Sequence, residues 1–159
     1  MDRALGMSES ERVEMRRGIL LHDIGKMLLP DSVLNNQGPL SKAEWALMRQ
    51  HPTYVYELFA PVAFLQPALD IPYCHHEAWD GSGYPRGLKG EAIPLAARIF
   101  AVVDVWNALH SDRPHRKGWP EGKAIEHIRS QVGRLFDPKV AYLFMKLWEN
   151  GELAPDEQG

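Results

Sequence analysis

The sequence predicts an all-α protein. Apolar residues recur at the three- and four-residue spacing of helices, and no run of alternating apolar and polar residues marks a strand. Two serines stand three residues before a glutamate, an arrangement that caps helix N-termini, and the pair Asp137-Pro138 is a third start signal. At 159 residues the chain is long enough for one domain with its own core.

The first helix is expected to begin after Ser8, which forms a capping box with Glu11. Its apolar pattern continues to about Leu28. Pro30 then ends it, because the residue before a proline disfavours helical geometry. Residues 30–40 are predicted to be a loop.

The second helix begins at a capping box formed by Ser41 and Glu44, and it carries His51 at its end. Pro52 is expected to break or kink the chain there. Residues 54–73 are apolar but interrupted by prolines, which predicts short helices with bends.

Residues 80–94 contain too much glycine and proline for a regular element, so they are predicted to form an ordered loop. Three further helices are expected over residues 95–109, 120–133 and 138–150. Residues 151–159 are expected to be a frayed tail of this single domain.

The composition excludes several classes of protein. With 18 basic and 21 acidic residues, the net charge of −3 argues against a nucleic-acid polymer or an anionic membrane as partner. Cys74 is the single cysteine, so an internal disulfide and a thiolate zinc site are excluded. We find no apolar stretch of about 18 residues and expect a cytoplasmic protein without a membrane segment.

Metal-ligating side chains are concentrated at four places along the chain: His22-Asp23, His51, His75-His76 and Asp104. Imidazole and carboxylate groups suit divalent transition metals. Two such ions about 3.5–4 Å apart would activate a water and clamp a phosphodiester. Each of these motifs alone is also consistent with a structural role, namely a surface His-Asp pair or a histidine that caps a helix end.

Asp104 is the most informative of these residues. It lies inside the apolar run of residues 99–106, where burying a carboxylate is costly unless it is paired or bound to a cation. The alternative to a metal is a buried salt bridge to an arginine such as Arg98.

Residues 75–85, HHEAWDGSGYP, resemble the HHExxDGxGYP signature of the HD-GYP family. The run HDIGK at residues 22–26 resembles the motif that names the HD superfamily. Residues 45–52 and 93–99 resemble the family's connecting helix and its IPxxARI segment. The similarity covers about residues 4–150, with the motifs in order.

The resemblance implies an HD-domain helical bundle of about six or seven helices. It also implies hydrolysis of the bacterial second messenger cyclic di-GMP at a centre of two or three divalent metals, iron or manganese before zinc or nickel. The implied metal ligands are His22, Asp23, His51, His75, His76 and Asp104, with Asp23 as a bridge. Lys26 would meet a phosphate oxygen, unless it is simply a solvated lysine at a helix end.

Further substrate contacts are implied for Arg113 and Arg116, which match basic positions of the family. A planar guanidinium binds phosphate through two hydrogen bonds, although solvated loop cations are an equal alternative. Asn107 stands where many relatives carry an acid, so it keeps an acceptor without the charge.

Gly83, Tyr84 and Pro85 form the loop that gives the family part of its name. The loop is expected to shape substrate entry or to contact a GGDEF-domain partner; alternatively it only joins two helices. Glu77 and Asp80 would orient ligand histidines or cap backbone amides, and capping is favoured for Asp80.

The family pattern normally starts with one more histidine on an earlier helix, and no histidine precedes His22. We therefore expect either a fragment of a longer regulator or a short, degenerate domain. An exposed apolar surface near residues 60–70 would favour a homodimer. The leading hypothesis is a phosphodiesterase that yields linear pGpG, GMP or both. The alternatives are a module that binds without turnover and a general nucleotide phosphohydrolase.

Overall fold

The computed structural model describes residues 1, 3–36, 38–112 and 117–153, and the described part is helical. A single isolated bridge between Val132 and Phe136 is the only β-type pairing in these ranges. None of the described helices is long and apolar enough to cross a membrane. The α-helices are α1 (Glu9–Leu21), α2 (Asp31–Leu34), α3 (Lys42–Met48), α4 (His51–Phe59), α5 (Asp70–Cys74), α6 (Leu95–His110), α7 (Glu121–Ser130) and α8 (Pro138–Glu149).

The predicted N-terminal caps are confirmed. Ser8 and Ser41 each accept a hydrogen bond from the backbone of a glutamate three residues later, and that glutamate's side chain accepts from the serine backbone in return. The carboxylate of Asp137 accepts from the Lys139 backbone N–H at 2.8 Å and starts α8. Three helix starts are therefore set by local sequence.

The first helix is shorter than the sequence predicts. It ends at Leu21, and a separate 3₁₀ turn over Ile24–Leu28 follows. Gly25 in this turn packs so closely on α4 that an added Cβ would lie 2.1 Å from the carbonyl oxygen of His51. The bend that breaks the helix thus places the turn directly against α4. The predicted loop at 30–40 also contains α2.

The second helix is divided in two. α3 ends at Met48, and His51 is the first residue of α4 rather than the last of the preceding helix, which corrects the sequence expectation. Pro52 lies in the first turn of α4, where its missing N–H would have no helical partner. The break predicted at this proline is confirmed, and it turns His51 inward at a buried helix start.

The main core lies between α6, α7 and α8. Its fully buried members are Ile99, Val102, Ile125, Ile128, Phe136, Val140, Ala141, Phe144 and Met145. α6 also packs against α5, so one central helix joins this core to the histidine-bearing half of the molecule. The core thereby fixes the position of α6 relative to α5, which carries His75 at its end.

Arg98 joins α6 to the start of α8. Its Nη1 donates to Asp137 Oδ2 at 2.6 Å, and the two side chains are 15% and 2% exposed. The partner of Arg98 is thus Asp137, in place of the Arg98–Asp104 salt bridge considered from the sequence.

Replacing Arg98 with Met should lower the free energy of unfolding by about 3–5 kcal/mol, because it leaves the buried Asp137 carboxylate without its counter-ion. Urea unfolding followed by circular dichroism measures this loss. Arg129→Gln is the control, because Arg129 forms only exposed pairs, each expected to contribute about 0–1 kcal/mol. Equal midpoints for the two variants would contradict a structural role for the buried pair.

Candidate metal centre

The candidate metal centre is assembled from the ends of helices. His22 is the C-cap residue of α1 and Asp23 follows it, while His51 begins α4. His75 is the C-cap residue of α5, and His76 comes next. Helix ends direct these side chains toward one another from three segments that are distant in sequence.

The donor atoms of these residues lie close together. His51 Nε2 is 3.3 Å from His75 Nε2 and 3.6 Å from Asp23 Oδ1. His22 Nε2 is 3.4 Å from Asp23 Oδ2. Ligand atoms of His51, His75 and His76 all lie within 4.8 Å of one another. Asp23 therefore stands between two histidines with one carboxylate oxygen facing each.

Backbone carbonyls hold three of the imidazole rings through Nδ1. The distances are 2.6 Å from His22 to Ile19 O, 2.8 Å from His51 to Met48 O and 3.0 Å from His75 to Ile71 O. An Nδ1 that donates to a carbonyl leaves the Nε2 lone pair as the acceptor. This is the ring orientation that metal-ligating histidines use.

Burial favours neutral imidazoles in this cluster. It lowers the pKa of His75 to about 4 and that of His76 to about 2, with neighbouring histidines adding to the shift. Burial also lowers the pKa of His51. The three rings are thus neutral near pH 7, as metal ligation requires.

Asp23 and His22 have the opposite electrostatic character. The hydrogen bond with Asp23 raises the pKa of His22. Partial burial opposes ionisation of Asp23, but hydrogen bonds from His22 and Lys26 outweigh it and lower the pKa of the carboxyl group. Asp23 is therefore ionised. A metal cation could balance its negative charge in place of Lys26 or of a proton.

Asp104, the candidate ligand on α6, lies on the same side of the molecule as the histidines. It is half-buried and lines a cavity of about 280 Å³ together with His75 and His76. Its negative charge contributes to the raised pKa of His22. The donor set contains neutral imidazoles and carboxylates on several rigid elements, so the residues fit one or more divalent transition metals.

The other substrate-binding residues expected from the sequence have different positions. Lys26 Nζ lies 2.6 Å from Asp23 Oδ2, at the edge of the centre. Asn107 is exposed on α6, and its Oδ1 accepts a hydrogen bond from Ser111 Oγ at 3.0 Å. Arg113 and Arg116 lie outside the residues that the structure describes.

The Tyr84 ring covers one side of the centre. It stacks on His76 with ring centroids 4.8 Å apart, and its backbone N–H donates to the His76 carbonyl at 3.1 Å. Burial raises the pKa of the Tyr84 phenol to about 12 and keeps it neutral. Pro85, joined to Tyr84 by a cis peptide, continues the loop.

Carboxylates hold the rest of this loop in place. Glu77 accepts hydrogen bonds from the backbone N–H groups of Arg86 and Leu88 at 2.7 and 2.9 Å. Asp80 accepts from Ser82 at 2.8 Å, so the favoured capping role is confirmed. A Cβ on Gly83 would lie 2.2 Å from the Ala78 nitrogen, so this position requires glycine. The loop is an ordered wall of the cavity.

Arg49 is a residue of the cavity that sequence reasoning missed. It caps the C-terminus of α3 and lines the cavity with Tyr84 and the histidines. The only hint in the sequence that Arg49 lies near the centre is its position two residues before His51. The contact with Tyr84 joins segments 35 residues apart, which local pattern does not reveal.

Comparison with known proteins gives a family match. A family model described as HD domain matches residues 1–140. The cyclic di-GMP phosphodiesterase response regulator RpfG of Xanthomonas campestris is 47% identical over 137 residues, or 85% of this chain and 36% of that protein. A 3′3′-cGAMP-specific phosphodiesterase of Vibrio cholerae is 39% identical over 146 residues, or 91% of this chain and 28% of that protein. The chain thus spans about a third of the length of these relatives.

Two solved structures share the fold. One is a cyclic GMP-AMP specific phosphodiesterase of Vibrio cholerae, with a TM-score of 0.72 and 23% identity over 97% of this chain and 43% of that chain. The other is an HDGYP protein of Bdellovibrio bacteriovorus, with a TM-score of 0.71 and 21% identity over 93% of this chain and 47% of that chain. At these identities the likeness supports the helical architecture.

Proposed function

The chain belongs to the HD domain family, in its HD-GYP group, and we propose that it is a metal-dependent phosphodiesterase that hydrolyses cyclic di-GMP. The observation that carries the proposal is the convergence of His51 Nε2, His75 Nε2 and the Asp23 carboxylate within 3.3–3.6 Å. These groups come from three segments of the chain that are distant in sequence: the start of the 3₁₀ turn, the start of α4 and the end of α5. The Nδ1 atoms of His51 and His75 are satisfied by backbone carbonyls, and a cation would satisfy the Nε2 atoms that face each other.

The residues that would hold metal are His22, Asp23, His51, His75, His76 and Asp104. Bound divalent metals supply Lewis acidity and lower the pKa of water. We propose iron or manganese as the native ions, following the family resemblance. The carbonyl-anchored Nδ1 atoms keep Nε2 free for them.

The chain's own residues then bind and orient the substrate. Lys26 Nζ, already beside Asp23, is placed to donate to a nonbridging phosphate oxygen and to balance its charge. Phe100 contacts the rings of His22 and His75 and keeps water from their inner side. Tyr84 holds the His76 ring by stacking and forms the outer wall.

A second candidate substrate is 3′3′-cGAMP. The Vibrio cholerae relative that aligns over 91% of this chain is named as specific for it. Both substrates are rings with two phosphodiesters and two purines, so the metal centre alone does not separate them. Discrimination would depend on the residues that surround the bases.

The test is metal content per chain on anaerobically purified protein, followed by hydrolysis of both cyclic dinucleotides and of ordinary nucleotides. We expect close to two metals per chain and metal-dependent cleavage of cyclic di-GMP that chelation abolishes. Faster cleavage of 3′3′-cGAMP would select the second candidate. Metal and ligand binding without cleavage would contradict the enzyme proposal and favour a binding module.

Two protein partners are also proposed, the first from the family resemblance and the second from exposed apolar surface. A GGDEF-domain protein would meet the loop at Tyr84 and Pro85. Exposed Leu58, Val62 and Phe64 give a homodimer some apolar surface. Both stay predictions, and analytical ultracentrifugation tests the homodimer.

A further inference from the structure

The site contains a cation that the proposed chemistry does not use. Arg49 lines the same 280 Å³ cavity as His75, His76 and Asp104, yet it lies on α3, which supplies no metal ligand. Its side chain is exposed to solvent. An arginine in this place faces any ligand that enters the cavity.

The charge of Arg49 is available for a ligand. Within the described ranges of the chain, no carboxylate forms an ion pair with it, whereas Lys26 is already paired with Asp23 at 2.6 Å. A guanidinium has no acceptor capacity and prefers anions that accept two parallel hydrogen bonds. Phosphate is such an anion, and a nucleotide substrate brings it.

Tyr84 fixes where this guanidinium lies. The Arg49 Cζ is 5.2 Å from the centroid of the Tyr84 ring, a cation–π contact, and the same ring stacks on His76 at 4.8 Å. The Tyr84 ring therefore contacts both the Arg49 guanidinium and His76, a candidate ligand. Holding the side chain in advance reduces the entropy lost when an anion binds.

We propose that Arg49 binds the second phosphodiester of the cyclic dinucleotide, the one that is not cleaved. This inference rests on the proposed function. Both phosphodiesters of the substrate belong to one ring, so when one lies on the histidine cluster the other is held close to it, on the side where Arg49 lines the cavity. Arg49 lines that cavity and Lys26 lies beside Asp23, so the two residues supply one cation for each phosphate.

The experiment compares Arg49→Gln and Arg49→Lys with the wild-type chain. Loss of a charge-assisted, two-point contact should raise the KM and Kd for cyclic di-GMP by about 10–100-fold in Arg49→Gln. Arg49→Lys should show a smaller increase, because the charge remains and the fork is lost. Binding is measured by titration calorimetry with a phosphorothioate analogue of cyclic di-GMP that resists hydrolysis, so that turnover adds no heat, and kcat for cyclic di-GMP should change far less than KM.

A substrate with one phosphodiester separates this role from a general one. Bis(p-nitrophenyl) phosphate has no second phosphate, so the increase in its KM should be at least about fivefold smaller than that for cyclic di-GMP. Arg129→Gln is the matched control, since it removes an equal charge from an exposed surface of α7. Circular dichroism checks that each variant is folded.

Three results would overturn the proposal in distinguishable ways. If wild-type protein binds cyclic di-GMP and Arg49→Gln binds it equally well, the role of Arg49 is wrong and the proposed function stands. If wild-type protein neither binds nor cleaves it, the proposed function fails and the inference fails with it. An equal KM increase for both substrates would place Arg49 at the scissile phosphate.

Discussion

Replacing His75 with Ala is expected to remove at least one metal per chain and to lower cyclic di-GMP hydrolysis on the order of 10³-fold, as loss of several kcal/mol of transition-state stabilisation implies. His75 is the centre of the cluster. It is 5% exposed, its Nε2 lies 3.3 Å from His51 Nε2, and its ring contacts those of His22 and His76. Elemental analysis and initial rates measure the two losses.

His127→Ala is the control for this variant. His127 lies on α7 in contact with Trp119, away from the centre, so its removal should leave metal content and rate unchanged. A His75→Ala protein that keeps full metal content would contradict the assignment of His75 as a ligand. Full metal content with lost activity would instead indicate a role in orienting the substrate.

Replacing Gly25 with Ala is expected to destabilise the protein and to empty the metal centre, although it removes no ligand. The added Cβ would lie 2.1 Å from the His51 carbonyl oxygen and 2.7 Å from Val55 Cγ2. Both belong to the buried start of α4, so the turn that follows Asp23 must move away. We expect a loss of about 1–3 kcal/mol or more in unfolding free energy, together with lower metal content.

Gly122→Ala is the matched control. A Cβ there would meet nothing within 4 Å, and the position lies in the first turn of α7. Alanine should be neutral or stabilise the protein by about 0.4–1 kcal/mol. If Gly25→Ala kept wild-type stability and metal content, the tight contact between the 3₁₀ turn and α4 would not be what positions Asp23 against His51.

Local signals predicted much of the fold. The capping boxes at Ser8 and Ser41 and the cap at Asp137 act within three residues, so sequence spacing is sufficient to identify them. Pro52 marked the break before α4 for the same reason. Helix ends that depend on residues only a few positions away along the chain were predicted correctly.

Elements and pairings that depend on tertiary contacts were not predicted correctly. The first helix ends at Leu21 because Gly25 must approach His51, and no apolar spacing records a contact between two backbones. Arg98 pairs with Asp137, 39 residues away, rather than with the nearer Asp104. Local pattern offers the nearer partner, and packing selects the distant one.

The candidate site shows the same division. Motifs named the residues His22, Asp23, His51, His75 and His76, which the fold brings together, and their role as ligands stays a prediction that metal analysis tests. Arg49 carried no motif, because its relevance comes from Tyr84 on a separate loop.

The carbonyl anchors of the histidine rings have a consequence for how such domains diverge. Each ring of His22, His51 and His75 takes its orientation from a carbonyl no more than four residues away. Each of these three rings is therefore oriented by its own helix end, and loss of one leaves the carbonyl contacts of the other two intact. Substitution of one of these three histidines should therefore remove a single candidate ligand and leave the scaffold unchanged, which would allow such a domain to lose cleavage and keep recognition of the nucleotide.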